Sequence, residues 1–307
     1  MRGLSTNFLK DLNDGILSRF LNWVKSDDTL FLEIRNNYVN IYYRGGNMFR
    51  IEPDKNGYKV LFDINYCIHT SGEKYRSILS GIKACDYDKW VENIPFIKAE
   101  MDLWFSEHPK LEREFQQLIL RENNRGAIAG DTDYFIADIE YANNENGSRF
   151  DLLGVKWLSD AVNRRNPNNA ALSFIEMKYG DNALIGSAGI SKHIKDMNTF
   201  LSDSNKVNTI YVEMETIFNQ KIQLGLVSDI SKQININRGI KPEFIILIAN
   251  HKPAKSVFIR EVKQQINSSE YLELKDKADV KIAFASYMGY GLYADLIKPI
   301  ENIINEN

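Results

Sequence analysis

Two short apolar runs of this chain each carry acidic side chains at one point. The first run, RFDLLGV at 149–155, contains Asp151, and the second, LSFIEMKYG at 172–180, contains Glu176 and Lys178. Residues two apart on a β-strand point to the same face, so Glu176 and Lys178 are predicted to share one surface. Two carboxylates on neighbouring strands can bind Mg²⁺ through oxygen ligands. Such a cation would activate a phosphate and a water, and Lys178 would orient that water or offset developing charge.

Context distinguishes this Glu-X-Lys triplet from others in the chain. Glu261-Val262-Lys263 lies in a helical pattern, where residues two apart diverge, and Glu273-Leu274-Lys275 lies in a charged stretch. Asp279-Val280-Lys281 opens a strand that no acid-bearing strand closely precedes. Only Glu176-Met177-Lys178 follows an apolar strand core. The alternative, that these acids are solvated surface groups, stays open.

The first part of the chain, residues 1–104, is predicted to be an α+β accessory domain. An amphipathic helix is expected at 5–26, and a helical stretch at 74–105 that Pro95 breaks or kinks. Gly45-Gly46 favours a tight turn. Alternating β-branched and aromatic residues between these helices predict a meander of four strands: LFLEIR, YVNIYYRG, NMFRIEP and GYKVLFDI.

Residues 105–307 are predicted to form an α/β domain around a partly parallel sheet. Pro109 opens a helix, and helices are also expected at 186–201 and 207–227. The loop NRRNPNN separates the second strand from the third. The predicted strands are DYFIADIEYA, RFDLLGVKWL, ALSFIEMKY, KPEFIILIAN and VKIAFASYMGYGLY, and the last helices are KSVFIREVKQQI and ADLIKPIENII.

The order of helix, β-meander, Asp on the second strand, Glu-X-Lys on the third and then a helix resembles the PD-(D/E)XK nuclease superfamily. The resemblance covers about residues 105–307 and implies a restriction-endonuclease-like mixed sheet flanked by helices. It also implies hydrolysis of DNA phosphodiester bonds with Mg²⁺ or Mn²⁺. By this resemblance Asp151 and Glu176 match the metal ligands. The Met177 backbone carbonyl would be a further ligand, and Lys178 the catalytic lysine.

The resemblance also suggests supporting residues. Many members add an acid from the first helix, where Glu114 is preferred here to Glu112, and Glu140 at the end of the first strand competes as a metal ligand. The helix after Glu-X-Lys often contributes polar groups, and His193 is a candidate general acid. The nucleic-acid contact candidates are Arg164, Arg165, Lys192, His193 and Lys195, and Lys156 could join the basic ones in a local basic patch. For each of them a solvated surface role is the alternative.

Composition limits the partners. The net charge of −3 differs from that of a strongly basic nucleic-acid binder, so DNA contact would rely on a local basic patch. Cys67 and Cys85, with no C-x-x-C motif, indicate neither a disulfide framework nor a zinc site. The sequence has no apolar run of about 18 residues and no apolar leader, so we expect no membrane span and a cytoplasmic location.

The sequence therefore predicts a metal-dependent nuclease acting on DNA, in restriction, phage defence or repair. RNA is not excluded as a substrate, and a homodimer is compatible with the resemblance. The alternative, from a different functional class, is a catalytically inactive nuclease-fold protein that binds nucleic acid or a protein partner. Walker A, G-x-G-x-x-G, G-x-S-x-G and H-E-x-x-H motifs are all absent from the sequence.

Overall fold

The computed structural model has an α/β fold built from helices and two β-sheets, as the sequence predicts. The chain divides into two compact units, Met1–Gln117 with Gln220–Leu226, and Leu118–Asn219 with Val227–Asn307. None of the helices among the described residues is both long and apolar enough to cross a membrane. The residues that the structure describes are 1–67, 73–143, 147–186, 189–249, 257–285 and 291–302.

The first unit begins with two helices where the sequence predicts one. Helix α1 spans Thr6–Asn13 and α2 spans Ser18–Ser26. Between them the chain turns tightly at Gly15, where an added Cβ would lie 2.6 Å from the Asp11 Cα. Only glycine fits such a close approach, so the helix ends before Gly15. The apolar periodicity that predicted one helix continues across this break.

The predicted meander is confirmed as a four-stranded antiparallel sheet in the order β1-β2-β3-β4. Arg44 and Gly45 connect β2 to β3 with φ angles of 46° and 75°, the left-handed pair that a tight hairpin turn requires. The strands are β1 Leu30–Ile34, β2 Val39–Tyr43, β3 Gly46–Asp54 and β4 Gly57–Leu61.

Aromatic packing and one buried ion pair hold the first unit together. The Phe49 ring packs edge-on against Phe20 and Trp90, each at a centroid distance of 5.7 Å. Glu33 and Lys221, both buried, are joined at 2.7 Å. Pro95 lies in the first turn of α5, so the predicted break there marks a helix start. The remaining helices are α3 Glu73–Ser80, α4 Tyr87–Glu92, α5 Ile94–Glu107 and α6 Leu111–Asn124, of which α6 continues into the second unit.

The second unit contains a six-stranded mixed sheet in the order β10-β9-β8-β7-β6-β5. Strands β5, β6 and β7 pair antiparallel to one another, whereas β7, β8 and β9 pair in parallel. The central strands β7 and β8 are buried almost throughout, which explains their continuous apolar runs. The strands are β5 Tyr134–Ala142, β6 Arg149–Lys156, β7 Ala171–Tyr179, β8 Glu243–Ala249, β9 Asp279–Ala285 and β10 Lys298–Pro299.

Helices of this unit agree with the sequence in part. The predicted loop between β6 and β7 contains a short helix, and α11 was not predicted, although Ser268 caps it by accepting from the Tyr271 N–H. The predicted closing helix is wrong for residues 294–301, which form a 3-10 turn, β10 and a further turn, whereas Asn302, the last described residue, is helical. Pro299 has no N–H for a helix but fits an edge strand. The helices are α7 Ala161–Arg165, α8 Ile190–Leu201, α9 Ser204–Gln223, α10 Phe258–Gln265 and α11 Ser269–Lys277.

Parts of the sequence-based assignments fall outside the described residues. These are the segments 144–146, 187–188, 250–256, 286–290 and 303–307. The last of the predicted strands is therefore described only as far as Ala285 and again from Gly291.

A buried carboxylate ties together four strands of the six-stranded sheet. Glu243, 3% exposed, accepts from the Tyr134 hydroxyl at 2.6 Å, from Lys156 at 2.7 Å and from Lys281 at 2.6 Å. Burial alone would raise the pKa of Glu243, but the two ammonium groups and the hydroxyl hold it below its ordinary value. Two cations therefore more than offset one buried anion.

We expect Glu243→Ala to lower the free energy of unfolding by about 3 kcal/mol, because it leaves two lysines facing a buried site without their carboxylate. Urea denaturation followed by circular dichroism measures the change. The matched control is Glu92→Ala, an exposed glutamate of α4 that should be close to neutral. Equal stability of the Glu243→Ala protein and the wild type would contradict this role.

Candidate active site

The strands β6 and β7 part at the residues that the sequence singles out. Regular pairing joins 152–156 to 171–175 and ends at Leu152–Ile175. One residue further on, the Asp151 Oδ2 atom accepts a hydrogen bond from the Met177 N–H at 2.9 Å. A side-chain carboxylate thus occupies the place of a main-chain partner, and Asp151 is held against β7.

Glu176, Lys178 and His193 form a closed set of contacts beside Asp151. Lys178 Nζ donates to Glu176 Oε1 at 2.8 Å and lies 2.8 Å from His193 Nε2, while His193 Nδ1 lies 3.0 Å from the same Glu176 oxygen. Because an ammonium group only donates, these neighbours assign the acceptor role to Nε2 and the proton to Nδ1. The histidine comes from α8, so that helix completes the set.

The charge balance of Asp151, Glu176 and Lys178 leaves one negative charge without a positive partner when both acids are ionised. The side chains of Lys178 and Glu176 are only 5% and 11% exposed. Burial raises the pKa of Asp151 to about 8, and the negative charge of Glu176 adds to the effect, against the opposing Met177 N–H and Lys178. One lysine therefore serves two carboxylates that repel each other in a largely dry environment.

Glu140 is the third acid that the second unit places near this point. It lies between the pairs Ile139–Leu152 and Tyr141–Phe150, so its register position is across from Asp151. Its charge also contributes to the raised pKa of Asp151. Its φ of 52° is in the left-handed region, which costs a non-glycine residue about 1–2 kcal/mol.

Glu114, preferred from the sequence as the acid of the first helix, belongs to the first unit. There its Oε1 atom accepts from Arg44 Nε at 2.7 Å, and the same arginine binds Asp102 at 2.9 Å. Glu114 thus has a structural partner of its own. Of the two competing candidates, Glu140 is the one that neighbours Asp151 within a single unit.

The two carboxylates at this point suit a divalent cation by their charge, although few side chains are available to bind it. No three His, Cys, Asp or Glu side chains within the described ranges are grouped so as to hold a metal ion. Asp151 and Glu176 nevertheless supply two hard carboxylate ligands, and the Met177 carbonyl follows directly in β7. Burial, and after it the charge of Glu176, disfavours the ionised form of Asp151 and raises its pKa, and a bound cation would favour that form.

The predicted nucleic-acid contacts differ in exposure. Arg165, Lys192 and Lys195 are exposed, and Lys192 pairs with Asp196 one turn along α8. Lys156 is committed to Glu243 at the opposite end of β6. The basic groups that remain at the surface therefore come from α7 and α8.

Arg164 packs within the fold instead. Its guanidinium lies 4.5 Å from the centre of the Phe135 ring and 5.0 Å from that of Trp157, and Nη2 donates to the Thr132 carbonyl at 2.5 Å. Burial lowers its pKa to about 10, so it stays protonated. The predicted phosphate contact is thus replaced by stacking between two aromatic rings.

Sequence reasoning missed the main-chain partner of Asp151 and the contact between Lys178 and His193. A main-chain N–H gives no signal in residue types, and the packing of α8 on β7 is not encoded in local spacing. No protein-family model, curated protein or solved structure matches the chain. Geometry and charge alone therefore support any assignment of function.

We expect Asp151→Asn to stabilise the protein at alkaline pH. With a raised pKa in the folded state, the wild type is most stable below the unfolded value of 3.8 and loses stability as the pH rises towards about 8. The variant lacks this penalty and should gain about 1–3 kcal/mol at pH values above 8, with a smaller gain at mildly acidic pH. Urea denaturation in EDTA at both pH values measures the difference.

Asp160→Asn is the control of opposite sign. The exposed Asp160 carboxylate caps α7, and hydrogen bonds from Asn163 and Val162 lower its pKa. Its contribution is present above its ordinary pKa and disappears on acidification, so this variant should not be stabilised at alkaline pH. A parallel response of the two variants would show that Asp151 carries no buried charge.

We expect Arg164→Lys to lower the free energy of unfolding by about 1–2 kcal/mol, because lysine keeps the charge but not the planar stack. Thermal or urea unfolding tests this, with exposed Arg165→Lys as the matched neighbour that should be neutral. If Arg164→Lys is as stable as the wild type, the packing of the Arg164 guanidinium against the Phe135 and Trp157 rings does not stabilise the fold.

Proposed function

We propose that this protein is a metal-dependent nuclease that hydrolyses DNA phosphodiester bonds in the second unit. The observation that carries the proposal is the convergence of Asp151, Glu176 and Lys178 where β6 leaves β7. One buried and one half-buried carboxylate that share a single lysine are costly for the fold, and such groups cluster at functional sites. The resemblance to the PD-(D/E)XK superfamily supports the same assignment.

In this proposal Asp151, Glu176 and the Met177 carbonyl hold Mg²⁺ or Mn²⁺, and Glu140 supports them. The cation would supply Lewis-acid activation of the phosphate and of a water molecule. Glu176 remains fixed through Lys178 and His193, since both contact its Oε1 atom. Asp151 remains fixed through the Met177 N–H.

Lys178 is the residue we propose for direct contact with the reacting phosphate or water. An ammonium group has three N–H donors. Glu176 and His193 face two of them among the described residues. The third would orient the attacking water or stabilise charge that develops on phosphate oxygens. His193 contacts Glu176 through Nδ1 and Lys178 through Nε2, so in this proposal it positions the lysine. Because both ring nitrogens are engaged, the role of proton donor to the leaving group that the sequence suggested is not part of the proposal.

DNA is the proposed substrate, approached by the exposed Lys192 and Lys195 of α8. The exposed Arg165 of α7 follows Lys156 at the other end of β6, so it would contact DNA only away from the reacting phosphate. Since the chain is slightly acidic overall, contact would be local and brief. RNA is the competing substrate. Restriction, phage defence or repair in the cytoplasm are the settings we propose, with a homodimer as a compatible assembly.

A second candidate is a nuclease-fold protein that binds nucleic acid or a protein partner without cutting. The observation that favours it is the internal neutralisation of Glu176, which Lys178 and His193 both contact. A melting temperature that rises with Mn²⁺ favours the enzyme, because a ligand bound only by the folded state stabilises it. An unchanged melting temperature favours the binding protein.

We expect Mg²⁺- or Mn²⁺-dependent cleavage that EDTA abolishes and that falls by about 10²–10³-fold in Lys178→Ala, because a donor to the developing charge is lost. Asp151→Ala should be equally inactive. The assay compares supercoiled plasmid, linear duplex, single-stranded DNA and RNA.

The chain offers its own control for this assay. Lys263→Ala alters a Glu-X-Lys triplet that lies on α10, and its activity should be unchanged. Glu140→Gln should reduce cleavage, whereas Glu114→Gln should retain it. Cleavage that survives both Lys178→Ala and Asp151→Ala would refute the site, and metal-independent cleavage would refute the metal.

A further inference from the structure

A partly exposed aromatic ring lies on the same face of the six-stranded sheet as Lys178. The parallel strands pair without irregularity, and the register joins Lys178 to Ile248 and Ile248 to Phe284. Paired residues of neighbouring strands point to one face, so the three side chains form a row. Two strand spacings, about 10 Å, separate the backbone at Lys178 from that at Phe284.

Phe284 differs from the rest of its row in exposure. The phenylalanine is 51% exposed, whereas Ile248 is fully buried and Lys178 is 4% exposed. The buried Phe258 of α10 packs against it edge-on, with ring centroids 5.7 Å apart and an interplanar angle of 84°. This contact fixes the orientation of the Phe284 ring while about half of its surface still faces solvent. Such exposure of a large apolar side chain is unfavourable in water, so a ligand that covers the ring would be bound with favourable burial of its surface.

We propose that Phe284 is a stacking platform for a nucleobase of the strand whose phosphate binds at Lys178. This inference rests on the proposed function and adds the substrate form, a single-stranded or locally unpaired nucleic acid. A base in a duplex is stacked on its neighbours, so a protein ring can take its face only after it is unstacked. The separation of about 10 Å corresponds to roughly three nucleotides at the stacked spacing of about 3.4 Å, and to fewer in an extended strand.

The chemistry of the ring also sets the selectivity. Phenylalanine has no hydrogen-bonding group, so it reads the π-face that all bases share and not their edges. The platform should therefore favour unpaired strands over duplexes with little preference for sequence.

The test is equilibrium binding of a fluorescein-labelled oligothymidylate in EDTA, where metal-dependent cutting cannot occur, measured by fluorescence anisotropy. Phe284→Ala should weaken binding about 5- to 100-fold, the range expected for loss of one stacked base. Phe284→Trp should retain it. Leu272→Ala, which removes another exposed apolar side chain of the second unit, is the matched control and should bind as the wild type does.

An oligonucleotide with abasic positions separates stacking from damage to the fold. It should bind the wild type as weakly as the normal oligonucleotide binds Phe284→Ala, and the variant should not distinguish the two. Wild-type affinity in Phe284→Ala, equal losses for normal and abasic strands, or no binding by the wild type would each overturn the platform. Cleavage by the wild type with unaltered binding in Phe284→Ala overturns only this inference. Binding that depends on Phe284 without any cleavage overturns only the nuclease.

Discussion

The hydrogen bond from the Met177 N–H to Asp151 is the interaction on which the candidate site depends. It forms where the regular pairing of β6 and β7 ends, and it replaces a main-chain acceptor with a carboxylate. Two acids on adjacent strands repel each other, and this bond favours the ionised form of Asp151 against that repulsion. The strand ladder behind it, residues 152–156 with 171–175, supplies the stability that keeps the pair together.

The six-stranded sheet contains two ionic clusters with opposite charge balance. At Glu243, two lysines and a tyrosine surround one carboxylate, and its pKa is lowered. At Asp151 and Glu176, one lysine serves two carboxylates, and the pKa of Asp151 is raised. The first arrangement is self-sufficient and stabilises the fold. The second has one lysine for two carboxylates, and this imbalance is why we propose chemistry there and not at the other.

The sequence predicts those parts of the site that depend on local pattern. The apolar runs identify β6 and β7, and strand periodicity places Glu176 and Lys178 on one face while Glu261 and Lys263 lie on helix α10. Register between strands is not local. The irregularity of β5 between Ile136 and Asp138 shifts its pairing with β6, and this offset places Glu140 across from Asp151. Residue types give no sign of that shift, so the sequence alone could not show that Glu140, and not the preferred Glu114, is the acid opposite Asp151.

The ends of the parallel strands separate function from stability in this sheet. Glu243 is the first residue of β8, and its cluster lies at the amino ends of the parallel strands. Lys178 and Phe284 are each the penultimate residue of a parallel strand, β7 and β9, and therefore lie towards the carboxyl ends. In open α/β sheets, ligands bind outside the carboxyl ends because loops of variable shape meet there above a rigid scaffold. The acids of the candidate site and the half-exposed aromatic ring thus lie towards the edge where ligands bind in such sheets, and the neutralised cluster lies at the other.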